Sequence, residues 1–244
     1  MYNSYFDFSQ SPFENNLDQR FLFLSEDYQE VLAALLYFIE TKKAFAIVCG
    51  DVGTGKTMLI NSFLNRLPET VKPVIIANPF VTSHDLLSYL AKTLETGTMG
   101  GENFLELTDQ IKTALLEAKN QNKHLVLIID EAHLLPDQAL EEIRLLSNIE
   151  TRDQKLLHIL LVGQNELGHK LDRPEMRQLR HRININRSLS PLNFSETIQY
   201  IDHRLKQVGS SFASVFKGNC KGLIFKMTKG VPPDSSTSCA IMPC

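Results

Sequence analysis

The chain has 244 residues, 43% of them apolar, enough to bury a sizeable core as one α/β domain or as a core with a small appendage. Its formal net charge of −3 gives no global positive field toward nucleic acid or anionic lipid, so any such binding needs a local basic patch. No apolar run approaches bilayer length and the N-terminus carries acids without a basic n-region, so neither a membrane span nor a signal peptide is expected. The four cysteines form no C-x-x-C pair, and Cys49 lies in an apolar strand pattern, which fits a reduced thiol in a cytoplasmic protein.

An aromatic-rich entry (Tyr2, Tyr5, Phe6, Phe8, Phe13) leads through Phe21-Leu22-Phe23-Leu24 to a helix that Ser25 caps, with Val31, Leu32, Leu35, Leu36 and Ile39 on its apolar side. The aromatics read as core packing or as a lid over an adenine ring, and the two readings are compatible. From residue 44, short apolar strands at 44–49, 73–77, 124–129 and 156–162 alternate with helices at 55–66, 83–95, 104–120 and 136–149. Such alternation predicts right-handed βαβ units in a parallel sheet covered on both faces, with ligand at the strands' carboxyl ends. Residues 96–102, TGTMGGE, are expected to form a flexible loop. Beyond Ser190-Pro191 the pattern changes to helices near 194–207 and 218–228, a small helical appendage.

The strongest chemical signal is Gly50-Asp51-Val52-Gly53-Thr54-Gly55-Lys56-Thr57, followed by Met58, placed between a strand and a helix. Wrapping a polyanion in backbone N–H groups requires glycines that accept φ > 0 and close approach. Lys56 then reaches the β- and γ-phosphates of ATP, and the Thr57 hydroxyl binds Mg²⁺. The strand 124–129 ends in Asp130-Glu131-Ala132-His133, where Asp130 holds the Mg²⁺ shell and Glu131 polarises the attacking water. His133 reads either as a coupling residue or as a structural histidine.

A further strand ends in Gly163-Gln164-Asn165-Glu166, placing an amide, Gln164 first and Asn165 second, where it would sense a γ-phosphate; either residue alternatively caps the helix that follows. Arg173, Arg177, Arg180, Arg182 and Arg187 form a basic cluster. One of them, Arg182 first and Arg180 second, serves as an arginine finger toward a neighbouring subunit. The histidines are scattered and none is assigned to a metal.

The ordered set YFDFSQSPFENNLDQRFLFLSEDYQEVLAALLYFIE, GDVGTGKT, LVLIIDEAH, LLVGQNEL, QLRHRI and SPLNFSETIQYIDHRL resembles the ExeA-type AAA+ ATPases, the general secretion pathway protein A family, over residues 1 to about 232. The resemblance implies an α/β P-loop NTPase of AAA+ type: a five-stranded parallel sheet of order 5-1-4-3-2 with a small helical lid. It divides the chain into an N-terminal segment on the nucleotide site (1–42), an ATPase core (43–190) and a lid (191–244). It further implies hydrolysis of ATP to ADP in a homo-oligomer, an envelope or secretion partner protein, and a place in the cytoplasm or at the inner face of the membrane. Related short ATPases serve exopolysaccharide export.

Two departures stand out. The family's lid carries a GxPR arginine where this chain reads Gly230-Val231-Pro232-Pro233. The tail PDSSTSCAIMPC can be back-translated so that a start two bases later reads GFINILCDNAL, which matches the family's lid pattern; the expectation is a shifted reading frame and an incomplete lid, the alternative being an unstructured, Ser-rich natural tail. Two other functions are weighed against the leading one. An ATP-dependent DNA-binding regulator of transposition is disfavoured by the acidic charge, and a DEAH helicase fragment by GQNEL standing where a Ser-Ala-Thr-like motif belongs.

Overall fold

A computed structural model describes residues 2–14, 18–77, 79, 82–94, 103–150, 155–216 and 220–232. The loop expected over 96–102 and the tail expected to be frame-shifted from 233 lie outside these residues.

Five strands, β1 (Phe45–Gly50), β2 (Val71–Ile76), β3 (His124–Ile129), β4 (Leu157–Gly163) and β5 (Ile183–Leu189), form an all-parallel sheet in the order β2-β3-β4-β1-β5, the order the resemblance implies. The continuous aliphatic runs of β1 and β4 are buried along their whole length and that of β3 beyond its first residue, as central parallel strands require. Phe45 registers with Ile159 on one side of β4, and Leu127 with Ile159 on the other. The strand read at 73–77 begins two residues earlier, at Val71. Pro73 removes a ladder donor, which β2 tolerates because it is an edge strand.

β5 corrects the strand reading. It lies inside the run taken as a basic cluster, where ININRSL alternates Ile183 and Ile185 with asparagines, the pattern of an edge strand with one side toward solvent. Asn184 explains part of its placement, since its Oδ1 accepts the Ala44 and Phe45 N–H groups at 3.0 and 3.2 Å.

Capping residues set the helix starts. After α1 (Tyr2–Tyr5), α2 (Glu26–Glu40) opens at Ser25, whose Oγ accepts the Tyr28 N–H at 3.3 Å, and α3 (Lys56–Leu64) follows the glycine loop. Thr82 and Asp85 form a reciprocal capping box on α4 (Ser83–Thr93), and Asn103 caps α5 (Phe104–Asn120). Then come α6 (Asp137–Leu146), α7 (Asn165–Leu171) and α8 (Arg177–Arg180). A second capping box, Asn193 with Glu196, opens α9 (Phe194–Lys206), which precedes α10 (Phe212–Val215) and α11 (Cys220–Thr228).

The chain forms two compact units. One comprises Met1–Glu30, Asp51–Asn61 and Leu189–Cys244; its core joins Phe8, Phe13 and Phe21 to Tyr200, Ile201 and Leu205 of α9, so the entry aromatics are core residues there. The other comprises Val31–Gly50 and Ser62–Ser188, with Ile47, Leu127 and Ile159 of the sheet packed with Leu90, Ile111 and Ile143 of the helices. Cys49 is buried and forms no disulfide among the described residues. His158, fully buried, bonds the Lys43 carbonyl through Nδ1 at 2.7 Å, and its ring lies edge-on to those of Phe38 and His124. Burial pushes the His158 imidazole below its usual pKa against the opposing Lys43 hydrogen bond, and burial likewise lowers that of His124.

Candidate functional site

Gly50 ends β1 and the chain passes at once into the glycine loop. Gly53 and Gly55 hold φ of +81° and +93°, the backbone that the sequence reserved for glycine. The carbonyl of Asp51 gathers the loop: Lys56 Nζ donates to it at 2.8 Å and Thr54 Oγ1 at 2.9 Å. Lys56 is 7% exposed, an ammonium group held in the loop instead of in solvent.

In the same unit a cavity of about 430 Å³ is lined by Val52, Gly53, Thr54, Gly55 and Met58 on one side and by Phe13, Phe21, Phe23 and Tyr28 on another. Val231, Pro232 and Arg204 complete its wall. One end is thus backbone N–H and glycine, the other aromatic, a combination suited to a polyanion joined to a flat heterocycle. Phe13 and Phe21 belong to the core cluster, as the packing reading expects, and also line this cavity.

Arg204 is a site residue that the sequence reading missed. It is 6% exposed, donates from Nη1 to the carbonyls of Pro12 and Glu14 at 3.1 and 3.3 Å and from Nε to that of Phe21 at 3.4 Å, and lies over the rings of Phe21 and Tyr200. His203 Nε2 adds a contact to the Arg20 carbonyl at 3.1 Å. The available signal was a histidine-arginine pair late in an amphipathic helix, which carries no information about its target.

In the other unit, Asp130 follows β3 with 7% exposure, and its Oδ1 accepts the Glu131 N–H at 2.9 Å. Glu131 sits in the left-handed region at φ 51°, and its carboxylate is 38% exposed. That conformation turns the chain into the short helical turn Ala132–Leu134. His133 Nδ1 is 3.4 Å from Glu131 Oε2 and accepts the Gln164 N–H at 3.4 Å, which brings the ends of β3 and β4 together. Gln164 precedes α7 with an extended backbone and makes no side-chain capping bond, so its amide is not spent on the cap.

The arginines divide by environment. Arg182, half-buried, donates to Ser147 Oγ at 3.1 Å, whereas Arg180, with 60% of its side chain exposed, pairs with Asp172 at 3.0 Å. Arg173 is committed to Asp137 at 2.7 Å, Arg177 approaches His181 at 3.4 Å and Arg187 donates to the Asn186 carbonyl at 3.2 Å.

A five-stranded parallel sheet of this order, with the glycine loop after β1 and the acidic pair after β3, defines a P-loop ATPase fold of AAA+ type. The chain belongs to the AAA domain family, which matches residues 39–171. It is 34% identical over 233 residues to general secretion pathway protein A of Aeromonas hydrophila, covering 95% of this chain. That relative bears out the resemblance read from the motifs, and this chain spans 42% of its length. Among solved structures, the Aeropyrum pernix ORC2 protein in ADPNP–ADP complexes matches 97% of this chain and 63% of its own at TM-score 0.61 and 17% identity. Cdc6p of Pyrobaculum aerophilum matches 97% and 61% at TM-score 0.62 and 16% identity. At these identities the two share the fold. Among the described residues no helix is long and apolar enough to cross a membrane.

Proposed function

We propose that this chain binds ATP at Gly50–Met58 and hydrolyses it, and that the cycle drives or switches an assembly of the cell envelope, in secretion or exopolysaccharide export. The observation that carries the binding step is the glycine loop with Gly53 and Gly55 at positive φ, Lys56 drawn into it, and an aromatic cavity opening from it. Lys56 leaves the Asp51 carbonyl for the β- and γ-phosphate oxygens, a charge-assisted exchange.

Oxygen donors suit Mg²⁺, and the Thr57 hydroxyl and the buried Asp130 carboxylate are the groups of this chain that fit it. Held by these groups, Mg²⁺ would supply positive charge against the phosphates. Glu131 accepts the proton of the attacking water, its exposed carboxylate leaving room for one. Gln164, or Asn165 beside it, orients toward the γ-phosphate end. An arginine at 180 or 182 completes the site of a neighbouring copy in a homo-oligomer. Arg180 is the better placed, because its exposed pair with Asp172 costs little to break while Arg182 is tied to Ser147.

The relative's name supports the envelope assignment, with this chain in the cytoplasm or at the inner face of the membrane. The direct test is Glu131→Gln. Binding of ATP should persist while turnover falls roughly 10²–10⁴-fold, the usual worth of a general base. Turnover within about threefold of the parent removes Glu131 from that role.

A further inference from the structure

α9 presents different surfaces on its opposite sides. Tyr200 and Arg204, at helical spacing, line the cavity that opens from the glycine loop, whereas Ile198, Asp202 and Lys206 line a second cavity of about 700 Å³. Phe212 and Ala213 of α10, Phe216 just past it and Lys221 of α11 complete that second cavity.

Its floor is apolar and its rim is cationic. Phe212 and Phe216 are buried with ring centroids 4.7 Å apart, and half-buried Ile198 packs against the same core. Lys221 Nζ lies 5.6 Å over the Phe212 ring, and among the described residues no carboxylate stands within ion-pair distance of it. Asp202 is already spent: its Oδ1 accepts the Phe212 N–H at 2.8 Å and its Oδ2 pairs with Lys206 at 2.7 Å. Lys206 and that N–H hold the Asp202 carboxyl below its ordinary pKa. The local charge also runs against that of the whole chain. Residues 191–232 contain Arg204, Lys206, Lys217, Lys221, Lys226 and Lys229 against Glu196 and Asp202, in a protein of net charge −3.

We infer that this groove is a docking site for a protein partner, taking a peptide segment that sets an aliphatic or aromatic side chain on Ile198, Phe212 and Phe216 and a carboxylate on Lys221. The volume and the apolar floor call for a side chain, and the uncompensated ammonium group calls for an acid beside it. Because α9 turns Tyr200 and Arg204 toward the nucleotide cavity from its other side, occupancy of each cavity bears on the other, and the effect is reciprocal. That link, unlike the docking itself, rests on ATP binding as proposed above.

The test is a phage-displayed library of random peptides panned on the full chain without nucleotide. Recovered peptides should carry Leu, Ile, Phe or Trp beside Asp or Glu, and synthetic copies should bind more weakly as salt rises. Lys221→Glu reverses the rim charge, and Ala213→Trp fills the groove from an exposed position. Each should weaken that binding about tenfold or more, with thermal unfolding like the parent's. No recovered peptide, recovered peptides without acids, or binding indifferent to both substitutions overturns the proposal. Binding that appears only after residues 234–244 are removed assigns the groove to this chain's own tail and overturns it as well. ATP should then shift the peptide affinity of the parent and not that of Lys56→Ala. A parent that binds ATP without any such shift overturns the link through α9, whereas a parent that binds no ATP sinks the nucleotide reading and leaves the panning to decide the groove.

Discussion

Val231 stands against the phosphate-loop glycine Gly53: a Cβ on Gly53 would come within 2.7 Å of Val231 Cγ1, and Gly53 already holds φ of +81°. Both barriers act on Gly53→Ala, a left-handed alanine costing about 1–2 kcal/mol before any contact with Val231 is counted. We expect ATP affinity to fall more than about tenfold, since the loop must distort at the place where its N–H groups converge. Adding Val231→Ala relieves the contact and leaves the backbone term, so the double variant should recover part of the loss in a nucleotide titration. Full recovery would show that the positive φ is immaterial.

Arg204→Ala leaves the carbonyls of Pro12, Glu14 and Phe21 without this donor, at a cost of roughly 1–3 kcal/mol for each of the two buried acceptors, Pro12 and Phe21. Arg204→Lys should recover little, because an ammonium lacks the planar fork and the stacking surface. Urea unfolding and protease cleavage within residues 1–24 are the measurements. Faster cleavage there, accompanied by weaker ATP binding, is the expected result.

Acid should destabilise the sheet-bearing unit through His158. Burial depresses its folded pKa below the unfolded value of 6.5, so the unfolded chain binds the extra proton first. The stability associated with neutral His158 is present above pH 6.5 and is lost as pH falls through the depressed folded value. Thermal unfolding from pH 7.5 downward should show this loss, and His158→Gln should flatten it. His124 shifts in the same direction and should leave a residual slope.

Arg180→Ala should slow hydrolysis more than Arg182→Ala, and the deficit should be in kcat with nucleotide affinity kept, because a finger acts on the transition state. Specific activity of the parent protein should rise with concentration. Flat activity across dilution, with a monomer throughout by light scattering, contradicts action between copies.

Much of this was legible because the chemistry is local. The glycine loop, the buried runs 124–129 and 156–162 and the helix 104–120 each announce themselves within a dozen residues, and the structure puts elements at those places. β5 was not legible in the same way: an edge strand with asparagine and arginine facing solvent has no apolar run, and Asn184 finds its role only in the β1 backbone 140 residues away. Arg204 was not legible for the same reason: its partners, main-chain carbonyls about 190 residues away, leave no residue-type signature.

The most direct test of the account is Mg²⁺-dependent binding of a fluorescent ATP analogue to the parent chain and to Lys56→Ala. The parent should bind, and the variant should lose binding, because the β- and γ-phosphates lose the cation that the loop now holds on the Asp51 carbonyl. Equal affinity in the two proteins would contradict the assignment of Gly50–Thr57 as the nucleotide site.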